Sequence, residues 1–312
     1  NAAYNPCNPG GTDYYGLPCT GDAIGVDGFN SFTVNGRAWW KALTLQWFLT
    51  TRKKFLPAGE YATTFLDPNT NFTDTRGFVE ARFEPQLTKT TQLFVRAHLD
   101  MYNFDDFLGY PSVANGGTGD EVDTFRGRWG GAEARVQYSG EKLRLMAGGE
   151  IIDHFQTLQQ GVNAVQPVLF DNNGNAGRSD PFFVGAGYVN ADIVPVPAFK
   201  ISAGARFDYY SSIVNPNFLD VFNPRVAIIV KPSKHDTVKL MAGKAFRAPS
   251  VYELYYEAPQ QFRAGSVCLS GESPGTCDLK PEQIYSGEIE YSHRFSPTVT
   301  GLVSAYTNYV TN

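Results

Sequence analysis

Cysteine and histidine are the scarce residue types with the widest chemical repertoire, and this 312-residue chain holds four of each. The cysteines fall into two close pairs, Cys7 with Cys19 and Cys268 with Cys277, each set among Gly, Pro, Asn and Ser. A zinc site needs tighter Cys or Cys/His spacing, and neither pair has a histidine nearby. Local disulfides fit better, and they belong to an oxidising compartment such as the periplasm or the cell surface. The histidines, His98, His154, His235 and His293, are scattered over different predicted strands or turns. No Ser/His/Asp constellation stands out, although such a triad is recognised by geometry rather than by spacing. The stretch Asp171-Asn172-Asn173-Gly174-Asn175 has the composition of a calcium loop without the ligand spacing of an EF-hand, and reads as a solvated loop. Neither a metal nor a cofactor is expected.

Charged residues are better placed for work. Arg76, Glu80, Arg82, Glu84, Arg96, Asp100, Arg206, Asp208, Glu288, Glu290 and Arg294 all sit on the polar side of an alternating pattern. In one segment Leu93, Val95, Ala97, Leu99 and Met101 share a side, with Arg96, His98 and Asp100 opposite. From Phe199, the residues Phe199, Ile201, Ala203, Ala205 and Phe207 alternate with Lys200, Ser202, Arg206 and Asp208. From Tyr285, the residues Tyr285, Ile289, Tyr291 and Phe295 oppose Ser286, Glu288, Glu290, Ser292 and Arg294. Period two marks a strand with two unlike faces. Glycines such as Gly77, Gly149, Gly185, Gly187 and Gly287 lie on the apolar side, where a soluble core would want bulk and lipid would not. The alternation slips once, near Gly130-Gly131, which predicts a β-bulge there.

Counting these segments gives about twelve strands, each near the ~9–11 residues that a tilted strand needs to cross a bilayer. Short turns are predicted at Asn35-Gly36-Arg37, Glu84-Pro85-Gln86, Ser139-Gly140-Glu141, Val194-Pro195-Val196-Pro197, Pro232-Ser233-Lys234 and Ser296-Pro297-Thr298. Between them lie long polar loops, around 58–71, 105–120, 159–180, 211–219 and 248–282. Strict alternation of short turns and long loops is the topology of an outer-membrane barrel, and it puts both cysteine pairs on the long-loop side. Phe83, Phe125, Tyr138, Phe199, Tyr209 and Phe295 fall at strand ends, where interfacial girdles form, although Phe and Tyr are also good strand formers. A soluble sandwich or propeller would explain the alternation but not the loop rhythm.

Composition agrees with a barrel. Charged residues make up only 18% and aromatics 14%, against about a quarter charged in an average soluble domain. Mean hydropathy is nevertheless −0.27, because only every second residue need face lipid. No stretch approaches the roughly 18 apolar residues of a spanning helix. A net charge of −5 argues against nucleic acid as a partner. The first residues, Asn1 to Pro6, read as the middle of a loop rather than a secretion signal.

Two stretches carry a family resemblance. The first is Gly243-Lys244-Ala245-Phe246-Arg247-Ala248-Pro249-Ser250 with Glu253-Leu254-Tyr255. The second is Asp278-Leu279-Lys280-Pro281-Glu282 with Glu288-Ile289-Glu290-Tyr291. In order and spacing they resemble the late-barrel signature of TonB-dependent receptors, with Phe246, Arg247, Pro249, Glu253, Leu279, Pro281, Glu282 and Glu288 as the motif positions. Physically, Pro249 ends a ladder, Pro281 fixes the backbone before the next strand and Glu282 stays at the wet rim. These residues shape a loop.

The resemblance implies an all-β fold: an antiparallel transmembrane β-barrel, of which residues 1–312 are a part, from a barrel of about 22 strands. It implies a receptor in the bacterial outer membrane, long loops outward, that takes up a scarce nutrient such as an iron chelate, cobalamin or glycan. The implied partners are outer-membrane lipid, an extracellular small molecule and the TonB complex. A plug domain, a TonB box and the remaining strands are expected outside this chain. Family barrels hold the plug with the inward charges, and a porin lumen would use the same charges. Ligand contacts are expected from the long loops, whose aromatics Tyr14, Tyr15, Tyr61, Phe65, Phe107, Tyr110, Tyr255, Tyr256 and Phe262 suit a flat chelate or a sugar, although such rings more commonly pack against each other to order the loops. A passive porin remains the alternative, and an outer-membrane enzyme a more distant one.

Overall fold

The computed structural model describes residues 27–64, 67–110, 120–163, 177–213, 221–255 and 279–311. They form one antiparallel sheet. Its strands are β1 (Phe29–Trp40), β2 (Leu43–Phe55), β3 (Asn71–Phe83), β4 (Thr91–Phe107), β5 (Glu121–Ser139), β6 (Leu143–Asn163) and β7 (Gly177–Ser179). They continue with β8 (Phe182–Val196), β9 (Phe199–Tyr210), β10 (Phe222–Val230), β11 (Asp236–Arg247), β12 (Glu282–Arg294) and β13 (Thr300–Thr311). Each strand pairs with the next in sequence, except that the three-residue β7 adds to β6 beside β8. One short helix, α1 (Val251–Tyr255), follows β11. Among the described residues no helix is long and apolar enough to cross a membrane, which says nothing of crossing by strands.

Paired residues share a face, so the register assigns every side chain. Leu99 of β4 falls with Val79 of β3 and Gly130 of β5; Arg96 falls with Arg82 and Glu133. The first set belongs to an apolar face, the second to a charged one. Their exposures run opposite to a soluble protein: Leu99 is 58% exposed, Ile151 56% and Ile289 50%, whereas Glu80 is 6% exposed and Asp208 3%. A water-soluble sheet would bury the first group and expose the second. Gly185 and Gly187 lie on the apolar face with nothing near the place of a Cβ, as the sequence predicts.

Three local expectations are corrected. Asn35-Gly36-Arg37 is no turn: it lies inside β1, paired with Phe48, Trp47 and Gln46, and the hairpin turns at Lys41-Ala42 with Lys41 at φ 53°. Gly36 is there because the Trp47 indole lies where a Cβ would stand. The Asn-Gly turn signal lost to that aromatic packing. The loop expected from Gln159 begins later, since β6 continues to Asn163.

The third correction concerns the slip near Gly130-Gly131. β5 pairs with β4 without interruption from Thr124 to Tyr138. The irregularity falls instead between β5 and β6, where Arg128 faces Gln156 and Gly130 faces Asp153. One residue of β5 then opposes two of β6, so the extra residue is in β6, at His154-Phe155. Arg126 and Arg128 therefore stay on the apolar face rather than being rotated off it.

Candidate functional site: the charged wall and the long-loop rim

Across the charged face runs a continuous polar network. The Arg82 Nε bonds Glu80, and Gln46 Nε2 donates to the same carboxylate at 2.8 Å. Arg96 reaches Glu80 at 3.6 Å, Glu133 at 3.1 Å and Glu150 at 2.8 Å. Glu150 also accepts from Arg206 at 3.1 Å, and Arg206 pairs with Asp208 at 2.7 Å. Tyr188 donates to Glu133, Asn223 of β10 reaches Asp208 at 3.5 Å, and beside them Asn190 accepts from Arg225 at 3.2 Å. The network thus links β2 to β6, β8, β9 and β10. Alternation puts these side chains on one face, and the ladder register puts them at one height.

A cavity of about 480 Å³ opens on this network, lined among others by Arg96, Arg135, Glu150, Tyr188, Arg206 and Arg225. Arg135 lies 4.0 Å over the Phe94 ring, and its carboxylate contact, Glu133, is 3.7 Å away. Arg225 hydrogen-bonds an amide rather than a carboxylate. Cations outnumber carboxylates in this lining, so the cavity favours an anionic or oxygen-rich guest.

Of the sequence-predicted charges, Glu80, Arg82, Arg96, Arg206 and Asp208 join this network. Asp100 pairs with His98 at 2.5 Å, and Glu290 with Lys239 at 2.5 Å. Arg76 and Glu288 lie on the same face by register, Arg294 at its edge, and Glu84 in the turn after β3. Sequence reasoning missed Gln46, Glu133, Arg135, Glu150 and Tyr188. The slip assigned to Gly130-Gly131 hid the parity of Glu133 and Arg135. Counting back from the Ser139-Gly140 turn would have found them.

The four histidines lie on different strands or turns: in β4, in β6, in the turn before β11 and in β12. His154 stacks between Trp129 and Phe182, at 5.6 and 4.2 Å. The rings of His235 and His293 come within 6.3 Å, and His293 Nδ1 lies 2.7 Å from Asp236. No group of three or more His, Cys, Asp or Glu among the described residues is arranged to hold a metal.

At the long-loop end, rings run in file across the strands. Tyr61 meets Phe72 at 5.8 Å, Phe72 meets Phe104 at 5.2 Å, Phe104 meets Phe125 at 5.4 Å and Phe125 meets Tyr252 at 6.1 Å. Phe125, expected in a lipid-facing girdle, pairs with Phe104 and so lies on the charged face. Phe83, Tyr138, Phe199 and Tyr209 keep to the apolar face. Tyr252 belongs to α1, which crosses to the far strands: Gln159 donates to the Val251 carbonyl at 3.0 Å, and Arg178 lies 4.0 Å over Tyr255. Tyr110 donates to the Tyr61 carbonyl at 3.3 Å. Phe107 pairs with Asn71 at the end of β4. Tyr14, Tyr15, Phe65, Tyr256 and Phe262 lie outside the described residues, as do Cys7, Cys19, Cys268, Cys277 and the stretch 171–175.

The two motif stretches meet beneath α1. Arg247 faces Glu282 across β11 and β12 with Nε to Oε2 at 3.0 Å, and grips Glu253 with both Nη atoms at 2.9 Å. Ser250 Oγ accepts from the Glu253 amide at 3.2 Å, and Glu253 Oε2 accepts from the Ser250 amide at 2.8 Å. That is a capping box, which starts the helix by satisfying two otherwise unpaired N–H groups. Arg247, and then the Ser250 amide, hold the Glu253 carboxyl down at about 2, below its ordinary 4.5. Pro249 and Pro281 are buried, Glu282 and Leu279 exposed, and Phe246 meets Tyr210 edge-on at 5.8 Å.

Residues 13–312 match the family model described as TonB dependent receptor-like, beta-barrel. No curated protein matches the chain in sequence. Among solved structures, the copper transporter OprC is 11% identical with a TM-score of 0.62, over 90% of this chain and 45% of that one. A mutant of the ferric enterobactin receptor PfeA of Pseudomonas aeruginosa, solved with enterobactin, is 15% identical with a TM-score of 0.63, over 91% and 43%. The siderophore receptor PirA of Acinetobacter baumannii is 14% identical with a TM-score of 0.61, over 90% and 43%. At such identities the likeness is one of fold, and the chain spans less than half the length of these structures.

Proposed function

The chain belongs to the TonB-dependent receptor β-barrel family, and from that premise we propose that it forms the wall of a bacterial outer-membrane receptor. In this reading the apolar face meets lipid, the charged face lines the lumen, and the long loops face outward. The receptor captures a scarce nutrient of the iron-siderophore, cobalamin or glycan type at its mouth. The TonB complex supplies the energy to pass it inward, through a plug domain beyond this chain. The observation that carries the reading is the polar network from Gln46 to Asn223. A barrel filled by its own side chains has no use for charged and polar side chains interlinked across eight strands beside an open cavity. A wall that holds a polar plug and lets a polar solute pass does.

A passive porin would also wet this face, and the energy requirement separates the two. Cells carrying the full-length protein as their only receptor of this family would be grown on a panel of ferric chelates as sole iron source, with and without TonB. Growth on at least one chelate that disappears without TonB is the expected result. Growth or solute entry indifferent to TonB would replace the receptor by a porin.

A further inference from the structure

Two consecutive apolar-face positions of β5, Arg126 and Arg128, carry guanidinium groups where every lower position toward the short turn is apolar, glycine or aromatic: Gly130, Ala132, Ala134, Val136 and Tyr138. The register extends this boundary sideways. Arg128 lies level with Met101, Gly77 and Leu49, and Arg126 with Asn103, Thr75 and Thr51. One step higher stand Thr124, Asp105, Thr73 and Lys53. Above an apolar band the same face thus becomes a polar collar across β2 to β5. The band runs nine residues on β4, from Leu93 to Met101, matching the ~9–11 that span a bilayer. Charge at the midplane of a barrel's lipid face costs roughly 2–4 kcal/mol and almost nothing at the interface, so the arginines mark the headgroup level.

Three cations, Lys53, Arg126 and Arg128, share this collar with one carboxylate, Asp105. Arg126 takes that carboxylate at 2.6 Å. Arg128 has none: its Nη1 donates to the carbonyls of Gly127 at 2.7 Å and Tyr102 at 3.3 Å. Its Nε and Nη2 have no acceptor among the described residues. Those two N–H groups form the fork that binds a phosphate through two parallel hydrogen bonds. Basic residues at the headgroup level select anionic lipid heads.

We propose that this collar is a binding site for the phosphate groups of the outer-leaflet glycolipid, with Arg128 as the main ligand, Arg126 next to it on β5 and Lys53 farther along the collar, three strands away on β2. The proposal rests on the orientation given above, long loops outward. The probe is lipid A carrying two phosphates, compared with the same lipid after enzymatic dephosphorylation, added to the purified full-length receptor and read by native mass spectrometry. The wild type is expected to retain the phosphorylated lipid, and Arg128→Lys, which keeps the charge but not the fork, to hold it less tightly. The double variant Arg126→Gln/Arg128→Gln should lose affinity by on the order of tenfold, and Lys89→Gln at a short turn should not.

Folding is checked by the gel shift that an intact barrel shows on heating. Should the double variant fail it, Arg128→Gln alone is read in the same way. Equal retention of dephosphorylated lipid, or unchanged affinity in the glutamine variants, would overturn the site. An epitope inserted after Pro68 and probed on intact cells tests the orientation separately. If it is hidden, the outer-leaflet source falls with the orientation; if it is reached while the lipid result fails, only the site falls.

Discussion

Arg247 and Glu282 stand 35 residues apart in sequence and face one another across adjacent strands, joined at 3.0 Å. Because Arg247 also forks onto Glu253, one guanidinium couples the end of β11, the first turn of α1 and the start of β12. The spacing of the two motif stretches has a physical sense in this light. Whatever the length of the loop between them, its two ends are tied to a single cation.

Arg247→Ala and Glu253→Ala should therefore not be additive. Each alone removes the fork, and the second has little left to remove. Hydrogen exchange at residues 251–255 in the purified full-length protein is expected to speed up in both singles, more in Glu253→Ala because it also loses the bond to the Ser250 amide, and no further in the double than in Glu253→Ala. Additive increases would show that the two side chains act independently.

Glu253 also sets a pH dependence. Its folded carboxyl titrates at about 2 against 4.5 when free, the depressed case. Its contribution is therefore complete above pH 4.5 and lost as the pH falls through 2. Protease nicking within α1 should stay constant from pH 7 to 5 and rise below 4.5. Glu253→Gln should nick faster at pH 7 and lack that rise.

How much of this was legible in the sequence depends on what fixed each feature. Strand number, face parity and short-long rhythm were, since period two and turn residues report them directly. The Asn35-Gly36 turn was misread because Trp47 needs a bare backbone to lie on, and a cross-strand contact leaves no local trace. The β6 bulge was placed in β5 because charges at Arg126 and Arg128, then at Glu133 and Arg135, look like one strand changing face. They lie on opposite faces, the arginines on the apolar side beyond its apolar band and Glu133 and Arg135 on the charged side. The helix was legible and went unread: Ser250-Val251-Tyr252-Glu253 is a capping box in plain sequence.

Arg96 holds three carboxylates, Glu80, Glu133 and Glu150, in contact distance of one side chain. Arg96→Ala removes the cation that joins them; each keeps one other cation, Arg82, Arg135 or Arg206, beside the open cavity, so the cost stays below the roughly 3–5 kcal/mol of breaking a fully buried pair. A clear fall in the thermal unfolding temperature of the purified protein is expected. Restoring it by the further change Glu150→Gln would locate the cost in carboxylate repulsion, and a fall that Glu150→Gln does not relieve would assign it to lost packing.

The sharpest test of which face meets lipid is Leu99→Arg. Leu99 is 58% exposed and lies within the apolar band, one facing position below its upper edge at Met101, with Val79 and Gly130 level beside it. In water an arginine there would be harmless, since it replaces an exposed apolar group by a solvated one. In a bilayer it would carry a cost that reaches roughly 2–4 kcal/mol at the midplane and falls off toward the interface. His98→Arg, one residue away on the charged face, serves as the comparison, because it adds the same charge at almost the same depth. Folding yield into lipid vesicles should drop for Leu99→Arg and much less for His98→Arg. Equal yields would mean that the apolar face does not meet hydrocarbon, and the membrane wall would have to be abandoned for a soluble sheet.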